Sequence, residues 1–326
     1  MKLLNLLGTA SCVATILLGG ASVGQPNNGG MPAPRNPAAV KQHTERAHQL
    51  AGEDLKDSIG LLCTPATATA YAKTLQDPPP TRVFDNLYYV GLGYVSAWAL
   101  TTSDGIILFD TLDNPAEAQQ YIVGGLKTLG LDPENIKYII VTHGHGDHYG
   151  GAKYMQDRFP KARLLMSEAD YALAEKSASS GKGPFAKVPA PRRDMVITDG
   201  EVLRLGNTTI PLYITPGHTP GTISTILTVK DHGKRHIISF WGGTTPPRDH
   251  ATLVQYDQSF QRFTKLVNDA GAEGLISNHP VWDGSVSKIG KLRANPAGPN
   301  PFLIGKTLMD RYATVQEECI QAGLAQ

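Results

Sequence analysis

The chain has 326 residues, of which 41% are hydrophobic and 18% are charged. A sequence of this length and composition can bury a substantial core, either as one large domain or as two small ones. Because 30 lysines and arginines nearly balance 29 aspartates and glutamates, no basic surface is expected, and nucleic acid is not a favoured partner.

The segment 1–24 predicts a cleaved export signal. Lys2 precedes the apolar run 13–18, and small residues such as Ala21 and Gly24 offer a site for a signal peptidase. A membrane anchor is the alternative, but the run is short and is interrupted by glycines. We therefore expect a periplasmic or secreted protein that has no membrane contact after cleavage.

Two further segments precede the main domain, which we place at 83–326. Residues 25–37 are rich in Gly, Pro and Asn and predict a disordered linker. Residues 38–60 carry their charges on one face, which predicts a helix that ends at Gly60. This helix belongs to an N-terminal helical extension, 38–82.

Cys63 and Cys319 are the two cysteines that remain after removal of the signal. In an oxidising compartment they could form one disulfide that ties the two ends of the chain together. Two buried free thiols are the alternative, and the sequence does not decide between them.

Beyond the prolines at 78–80, short β segments alternate with helical stretches. The predicted strands are 87–90, 95–101, 105–110, 137–141, 163–166, 202–205, 209–214, 222–229, 235–240 and 274–277. The predicted helices are 114–129, 150–159, 254–270 and 303–322. The Gly/Lys/Pro-rich stretch 177–193 predicts a mobile loop. Strands and helices interleave in two similar halves, which fits an α/β sandwich with two sheets inside and helices outside.

The segment that follows strand 137–141 is the most informative part of the chain. It places His143, His145, Asp147 and His148 within six positions. Imidazole is a common zinc ligand, and a carboxylate adds a hard oxygen ligand. The intervening glycines let the backbone turn sharply, so that neighbouring side chains can converge on one point. A solvated histidine-rich loop is the alternative, but it does not explain this spacing, and we predict a metal site.

Two more histidines extend this prediction. His218 lies between glycines just past strand 209–214, and His279 follows strand 274–277. Loops at strand ends commonly carry functional residues. Alone, each histidine could be a surface residue, but together with the cluster they favour a ligand role. His250 is kept only as an outside candidate.

The sequence resembles the metallo-β-lactamase superfamily over roughly residues 83–315, and three segments carry this resemblance. They are His-x-His-x-Asp-His at 143–148, Gly-His-Thr-Pro-Gly at 217–221 and Asp-Gly-Ile-Ile-Leu-Phe-Asp at 104–110. The resemblance implies an αββα sandwich, with metals in a groove at the edge between the sheets. It also implies two zinc ions per chain, and the implied ligands are His143, His145 and His218 for the first, and Asp147, His148 and His279 for the second.

One departure from the superfamily narrows the resemblance. Most of its hydrolases carry a carboxylate that bridges both metals, after the strand that corresponds to 235–240. Here Gly242 or Gly243 takes that place. Subclass B3 metallo-β-lactamases also lack the bridge and use a late histidine, a role that His279 can serve. The resemblance therefore favours a B3-like enzyme over typical lactonases and glyoxalase II-like thioesterases.

The expected reaction is the attack of a metal-bound hydroxide on a carbonyl carbon, with Asp147 orienting the water as the catalytic carboxylate. The first hypothesis is the opening of β-lactams, an activity associated with antibiotic resistance. The second is a lactonase or esterase that acts on another cyclic or simple ester or amide. The third is a binding protein that kept the fold without catalysis.

Four residues are candidates for substrate binding. The hydroxyl of Thr244 or Thr245 could bind a substrate carboxylate, and Tyr149 and Trp241 could line the groove. Ordinary packing explains an aromatic residue such as Trp241 at least as well. The sequence does not indicate the oligomeric state.

Overall fold

A computed structural model describes residues 35–56, 59, 63, 71, 72, 74–183 and 185–326. The predicted export signal and residues 25–34 of the predicted linker lie outside the described residues. Within these ranges, no helix combines the length and the apolar character that crossing a bilayer requires.

The first sheet has seven strands in sequential order. They are β1 (Thr81–Phe84), β2 (Leu87–Tyr89), β3 (Trp98–Thr102), β4 (Gly105–Phe109), β5 (Ile136–Ile140), β6 (Arg163–Ser167) and β7 (Met195–Ile197). Strands β1 to β4 pair antiparallel, whereas β4 to β7 pair parallel. Parallel neighbours end at the same edge of a sheet, so the residues that follow β4 and β5 lie side by side.

The second sheet has five strands in the order β12-β11-β10-β9-β8. They are β8 (Glu201–Leu205), β9 (Thr208–Ile214), β10 (Ile223–Asp231), β11 (Lys234–Trp241) and β12 (Gly274–Ser277). Only β12 runs parallel to its neighbour, β11. The ends of β11 and β12 therefore lie together at one edge of this sheet.

Helices flank the two sheets. They are α1 (Pro37–Ala51), α2 (Pro115–Glu117, a π-helical turn at Ala118–Val123, and Gly124–Thr128), α3 (Gly146–Tyr149), α4 (Ala152–Arg158), α5 (Glu168–Ser180), α6 (His250–Asp269), α7 (Pro280–Asp283), α8 (Ser285–Ala294) and α9 (Lys306–Leu324). Apolar residues of α2, α4 and α5 pack on the first sheet, and those of α1, α6 and α9 pack on the second.

The core between the two sheets explains the long apolar runs of the strands. Phe109 of β4 meets Phe240 of β11 with ring centroids 5.4 Å apart. Ile106 and Leu108 face the helices on the other side of β4. A strand that is buried on both faces has to be apolar throughout, as β4 is. The two sheets with helices outside confirm the predicted αββα sandwich, and α1 is the helix of its N-terminal extension.

Three of the boundaries that differ from the sequence prediction are informative. Helix α1 ends at Ala51 and not at Gly60, because Gly52 takes a positive φ of 54°. Helix α5 continues through Ser180 into the stretch predicted as a loop, and Gly181 ends it in the left-handed conformation. Strand β1 begins at Thr81, so the first sheet begins inside the segment predicted as the helical extension.

Cys63 and Cys319 form a disulfide. Cys319 lies on α9, and Ala47 and Ala51 of α1 belong to the same buried apolar cluster as Cys319. The disulfide therefore ties the N-terminal extension to the last helix, and it decides against two free thiols.

Candidate metal centre

The structure brings all six predicted ligands together at one edge of the sandwich. His143 and His145 lie between β5 and α3, and Asp147 and His148 lie in the single turn of α3. The two remaining ligands follow strands of the second sheet, His218 after β9 and His279 after β12. The six side chains form two groups, and within each group the potential ligand atoms lie within 4.8 Å of one another. The groups are His143, His145, His218 and Asp147, His148, His279.

The first group consists of three imidazoles. Nε2 of His143 lies 3.1 Å from Nε2 of His218. The ring of His145 lies edge to face against both, at centroid distances of 4.9 and 4.8 Å. His143 is completely buried, whereas the other two are half-buried. The group therefore opens to the surface on the side of His145 and His218.

The second group combines two imidazoles with a carboxylate. Nε2 of His148 lies 3.2 Å from Nε2 of His279. Oδ2 of Asp147 lies 3.4 Å from the first of these nitrogens and 3.7 Å from the second. Within the part of the chain that the structure describes, Oδ1 of Asp147 is buried and has no hydrogen-bond partner.

Backbone carbonyls orient two of the imidazoles. Nδ1 of His218 donates to the carbonyl oxygen of Thr245 at 2.7 Å, and Nδ1 of His279 donates to that of Tyr94 at 2.7 Å. Because a carbonyl oxygen only accepts, Nδ1 carries the ring hydrogen in both residues. The Nε2 atom of each neutral ring then presents a lone pair to the centre of its group.

Asp110 orients a third imidazole. It follows β4, and its Oδ2 accepts a hydrogen bond from Nδ1 of His148 at 2.8 Å. The same carboxylate accepts from the backbone N–H and the hydroxyl of Thr142, at 2.7 and 2.9 Å. In the sequence, Asp110 is only the last residue of the 104–110 segment. The pattern that could identify it is an acidic residue at the end of an apolar strand, next to the strand that carries the cluster.

Burial lowers the pKa of four of the histidines. It brings the pKa of His145 and His279 to about 4, and the positive charges of neighbouring histidines contribute to this, while Asp147 opposes it. The pKa values of His143 and His218 also lie well below the usual value, chiefly because of burial. These four rings are therefore neutral at neutral pH, which is the form that binds a metal ion.

Asp147 and His148 strongly shift each other's pKa. Burial alone would lower the pKa of His148, but Asp147 and Asp110 outweigh it and raise that pKa to about 10. Burial would raise the pKa of Asp147, but His148, His279 and His145 hold it far below its usual value. Asp147 is therefore an anion at neutral pH.

The geometry of the donors fits a pair of divalent cations. Two nitrogen ligands of a tetrahedral zinc ion lie about 3.3 Å apart. The Nε2 atoms of His143 and His218 are 3.1 Å apart, and those of His148 and His279 are 3.2 Å apart, which is close to this value. One metal ion can therefore bind both Nε2 atoms of each facing pair. Five imidazole nitrogens and one carboxylate form a donor set that suits zinc.

The four predicted substrate-binding residues differ in their surroundings. Thr245 is half-buried, whereas Thr244 is buried, and its hydroxyl has no hydrogen-bond partner among the described residues. Tyr149 is completely buried. Trp241 packs in the apolar core, with its ring centroid 5.6 Å from that of Tyr256. Substrate contact by these residues stays a prediction, and the position of Trp241 in the core lends it no support.

Phe185 is a neighbour of the centre that sequence reasoning missed. It lies in the loop after α5, and its ring stacks on that of His145 at a centroid distance of 5.6 Å. A Cβ atom at Gly146 would lie 2.4 Å from the Phe185 ring. Glycine at 146 therefore allows this loop to lie directly against the histidine cluster.

Gly242 and Gly243, which follow β11, lie too close to their neighbours to carry a side chain. A Cβ atom at Gly242 would lie 1.9 Å from the carbonyl oxygen of Ile223, and one at Gly243 would lie 2.8 Å from Cβ of His218. The amide of Asn278 donates to the carbonyl of Gly242 at 2.6 Å. Close packing therefore accounts for glycine where a bridging carboxylate would stand.

Comparison with known proteins agrees with this geometry. The family model of the metallo-beta-lactamase superfamily matches residues 90–232, a range that contains the first group and most of the second. The hydroxyacylglutathione hydrolase GloC of Haemophilus influenzae is 30% identical over 206 residues, which are 60% of this chain and 87% of the relative. The N-acyl homoserine lactonase AttM of Azorhizobium caulinodans is 25% identical, over 49% of this chain and 65% of the relative.

The chain spans only about half of another curated relative, an uncharacterised protein of Aquifex aeolicus, which is 33% identical over 34% of this chain and 49% of that protein. The chain covers a larger share of the solved structure that follows than of this relative. The structure resembles BJP-1, a subclass B3 metallo-beta-lactamase of Bradyrhizobium japonicum, with a TM-score of 0.61 and 27% identity over 76% of this chain and 94% of that chain. The chain therefore belongs to the metallo-beta-lactamase superfamily and is a hydrolase of that superfamily.

Proposed function

We propose that this protein is a dizinc hydrolase of the B3 type that opens the amide bond of β-lactams. The observation that carries the proposal is the second donor group, in which His148 and His279 join Asp147 and the glycines at 242 and 243 leave no room for a bridging carboxylate. The resemblance to BJP-1 over 94% of its chain supports the same substrate class.

The residues of the centre have separable roles. The first group would hold one zinc ion and the second group the other, and the ions would supply Lewis acidity and lower the pKa of bound water to ~7. Asp147 turns Oδ2 towards the second group, and its Oδ1 has no hydrogen-bond partner among the described residues, so this oxygen is available to orient a water at the centre. Thr245 is the better candidate of the two threonines for binding a substrate carboxylate, because it is partly exposed whereas Thr244 is buried.

The test is hydrolysis of nitrocefin by the purified, zinc-loaded protein. We expect turnover that a chelator abolishes and zinc restores. The variant His143→Ala should be inactive, because it removes a buried ligand of the first group. The matched control is His232→Ala, a histidine in an exposed turn, and it should keep full activity. Turnover that survives metal removal would contradict the proposal.

A lactonase or thioesterase activity is the second candidate. The N-acyl homoserine lactonase AttM and the hydroxyacylglutathione hydrolase GloC are among the curated relatives, and the chain covers 87% of the latter. The same preparation should therefore be assayed with an N-acyl homoserine lactone and a hydroxyacylglutathione. Turnover of one of these substrates without nitrocefin hydrolysis would replace the β-lactamase proposal by this one.

We also propose that the protein is exported to the periplasm or secreted. The disulfide between Cys63 and Cys319 supports this, because such bonds persist mainly in oxidising compartments. Expression in a bacterium, cell fractionation and N-terminal sequencing test the proposal. We expect a mature chain that starts near residue 25 in the periplasm or medium. An intact N-terminus in the cytoplasmic or membrane fraction would contradict it.

A further inference from the structure

Asp170 links the two segments that carry the first ligand group. It lies in the first turn of α5 and is almost completely buried. Its Oδ2 accepts from the backbone N–H of Gly144 at 3.0 Å and from the hydroxyl of Thr219 at 2.6 Å. Its Oδ1 accepts from the N–H of Gly221 at 3.0 Å. One carboxylate thus binds the cluster segment and the segment that contains His218.

Two glycines make this approach to α5 feasible. A Cβ atom at Gly144 would lie 2.9 Å from the carbonyl oxygen of Asp170. A Cβ atom at Gly221 would lie 1.8 Å from the hydroxyl of Ser167, which is the N-cap of α5. Both ligand segments therefore pack tightly against the helix N-terminus from which Asp170 reaches them.

Asp283 has the same arrangement beside the second ligand group. Its Oδ2 accepts from the backbone N–H of Ser277 at 2.7 Å, and its Oδ1 accepts from the N–H and the hydroxyl of Ser285. Ser277 in turn exchanges two hydrogen bonds with the backbone of His279, at 2.7 and 3.1 Å. Asp283 therefore supports the backbone of a ligand without contacting its ring.

Both carboxylates meet only donors. Each accepts two backbone N–H groups and one hydroxyl, as described above. Burial raises the pKa of both groups to about 6, which leaves them mainly ionised at neutral pH. An asparagine at either position would turn an NH2 group towards a buried donor, and that donor would lose its partner.

We propose that Asp170 and Asp283 are positioning residues, each of which holds the backbone of one metal site. Asp170 holds the backbone at the site of His143, His145 and His218, and Asp283 holds the backbone at the site that contains His279. The inference rests on the proposed two-metal centre. Loss of either carboxylate should weaken the affinity of its own site and leave the other site unchanged.

The experiment measures metal affinity and not activity. Apoprotein is titrated with zinc in competition with a chromophoric chelator, and with cobalt(II) followed by its visible absorption. His279→Ala isolates the first site and His218→Ala isolates the second. We expect Asp170→Asn to weaken the isolated first site about 10- to 100-fold, as is usual for residues that support metal ligands. Asp283→Asn should do the same to the isolated second site only.

Asp194→Asn is the matched control. Asp194 also accepts a backbone N–H, that of Leu164 at 2.9 Å, but it touches no ligand segment, and its loss should change neither affinity. If an asparagine variant does not fold, Thr219→Val and Ser285→Ala each remove one donor from the same carboxylates. These milder variants should weaken the zinc affinity of the same sites, Thr219→Val that of the first site and Ser285→Ala that of the second.

The outcomes separate the two proposals. Wild-type protein that binds fewer than two zinc ions overturns the two-metal centre itself. Wild-type protein that binds two ions, with variants that weaken both sites equally or neither site, overturns the assignment of Asp170 and Asp283. Unchanged affinity of the first site in Asp170→Asn is sufficient to overturn the role of that residue.

Discussion

Asp110 accepts a hydrogen bond from Nδ1 of His148 at 2.8 Å, and both side chains are almost completely buried. The bond fixes the orientation of the ring and directs Nε2 towards Asp147 and His279. Strands β4 and β5 are parallel neighbours, and this pairing brings a residue at the end of β4 beside a helix that follows β5. Sheet topology, more than local sequence, thus creates this part of the centre.

Replacement of Asp110 by alanine should weaken the second metal site. The imidazole of His148 loses its orienting acceptor, and the backbone of Thr142 loses a partner at 2.7 Å. We expect a loss of zinc affinity of about 10- to 100-fold at the second site, measured by chelator competition. Asp104→Asn, an exposed carboxylate at the turn before β4, is the control and should bind zinc normally. Equal affinities in wild type and Asp110→Ala would contradict the prediction.

Replacement of His279 by alanine should lower the zinc content from about two ions per chain towards one. Its ring supplies one of the donors of the second group, and Nε2 of His148 loses its neighbour at 3.2 Å. The measurement is elemental analysis of dialysed protein. An unchanged content would require another ligand. Two residues at the start of α6 are poorly placed to replace it, because Asp249 caps that helix through Thr252 and His250 is exposed.

The clustering of the six candidate ligands could be predicted because their chemistry is local. The segment 143–148 contains four donors, and glycines mark the approach of His218. The fold followed from the alternation of strands and helices, together with the resemblance of three motifs to one superfamily. These signals need no knowledge of which strands are neighbours, and for that reason they are readable in a single sequence.

The supporting residues could not be predicted, because their roles depend on contacts between distant segments. Asp170 lies 26 positions from Gly144 and 51 from Gly221, and nothing in its local sequence distinguishes it from a helix-starting acid. Tyr94 contributes only a backbone carbonyl to His279. Trp241 illustrates the opposite case, because the sequence allows it either to line the groove or to pack, whereas its ring lies in the apolar core.

Substitution of Gly242 by alanine should destabilise the protein and its metal centre together. The new methyl group would lie 1.9 Å from the carbonyl oxygen of Ile223, so β10 and β11 would have to move apart. We expect a loss of about 1–3 kcal/mol in the free energy of unfolding, which is usual for overpacking, and weaker zinc binding. Urea unfolding and chelator competition measure the two effects.

Gly290→Ala is the matched control for that substitution. Gly290 lies within α8, and a Cβ atom there meets no atom within 4 Å. Alanine favours a helix interior by about 1 kcal/mol over glycine, so this variant should be slightly more stable than wild type and should bind zinc normally. An unchanged free energy of unfolding in Gly242→Ala would contradict the prediction, because it would mean that β10 and β11 can move apart at little cost.

Reduction of the disulfide between Cys63 and Cys319 should lower stability without removing the metal centre. The bond closes a loop over a sequence separation of 256 residues, and loss of such a cross-link costs about 2–5 kcal/mol. We expect a lower urea midpoint for wild type in the presence of a thiol reductant, and the same low midpoint for Cys63→Ser with or without reductant. Zinc content should stay unchanged, because neither sulfur belongs to the two ligand groups. Equal midpoints for oxidised wild type and Cys63→Ser would mean that the packing of α1 on α9 holds the extension in place without the covalent bond.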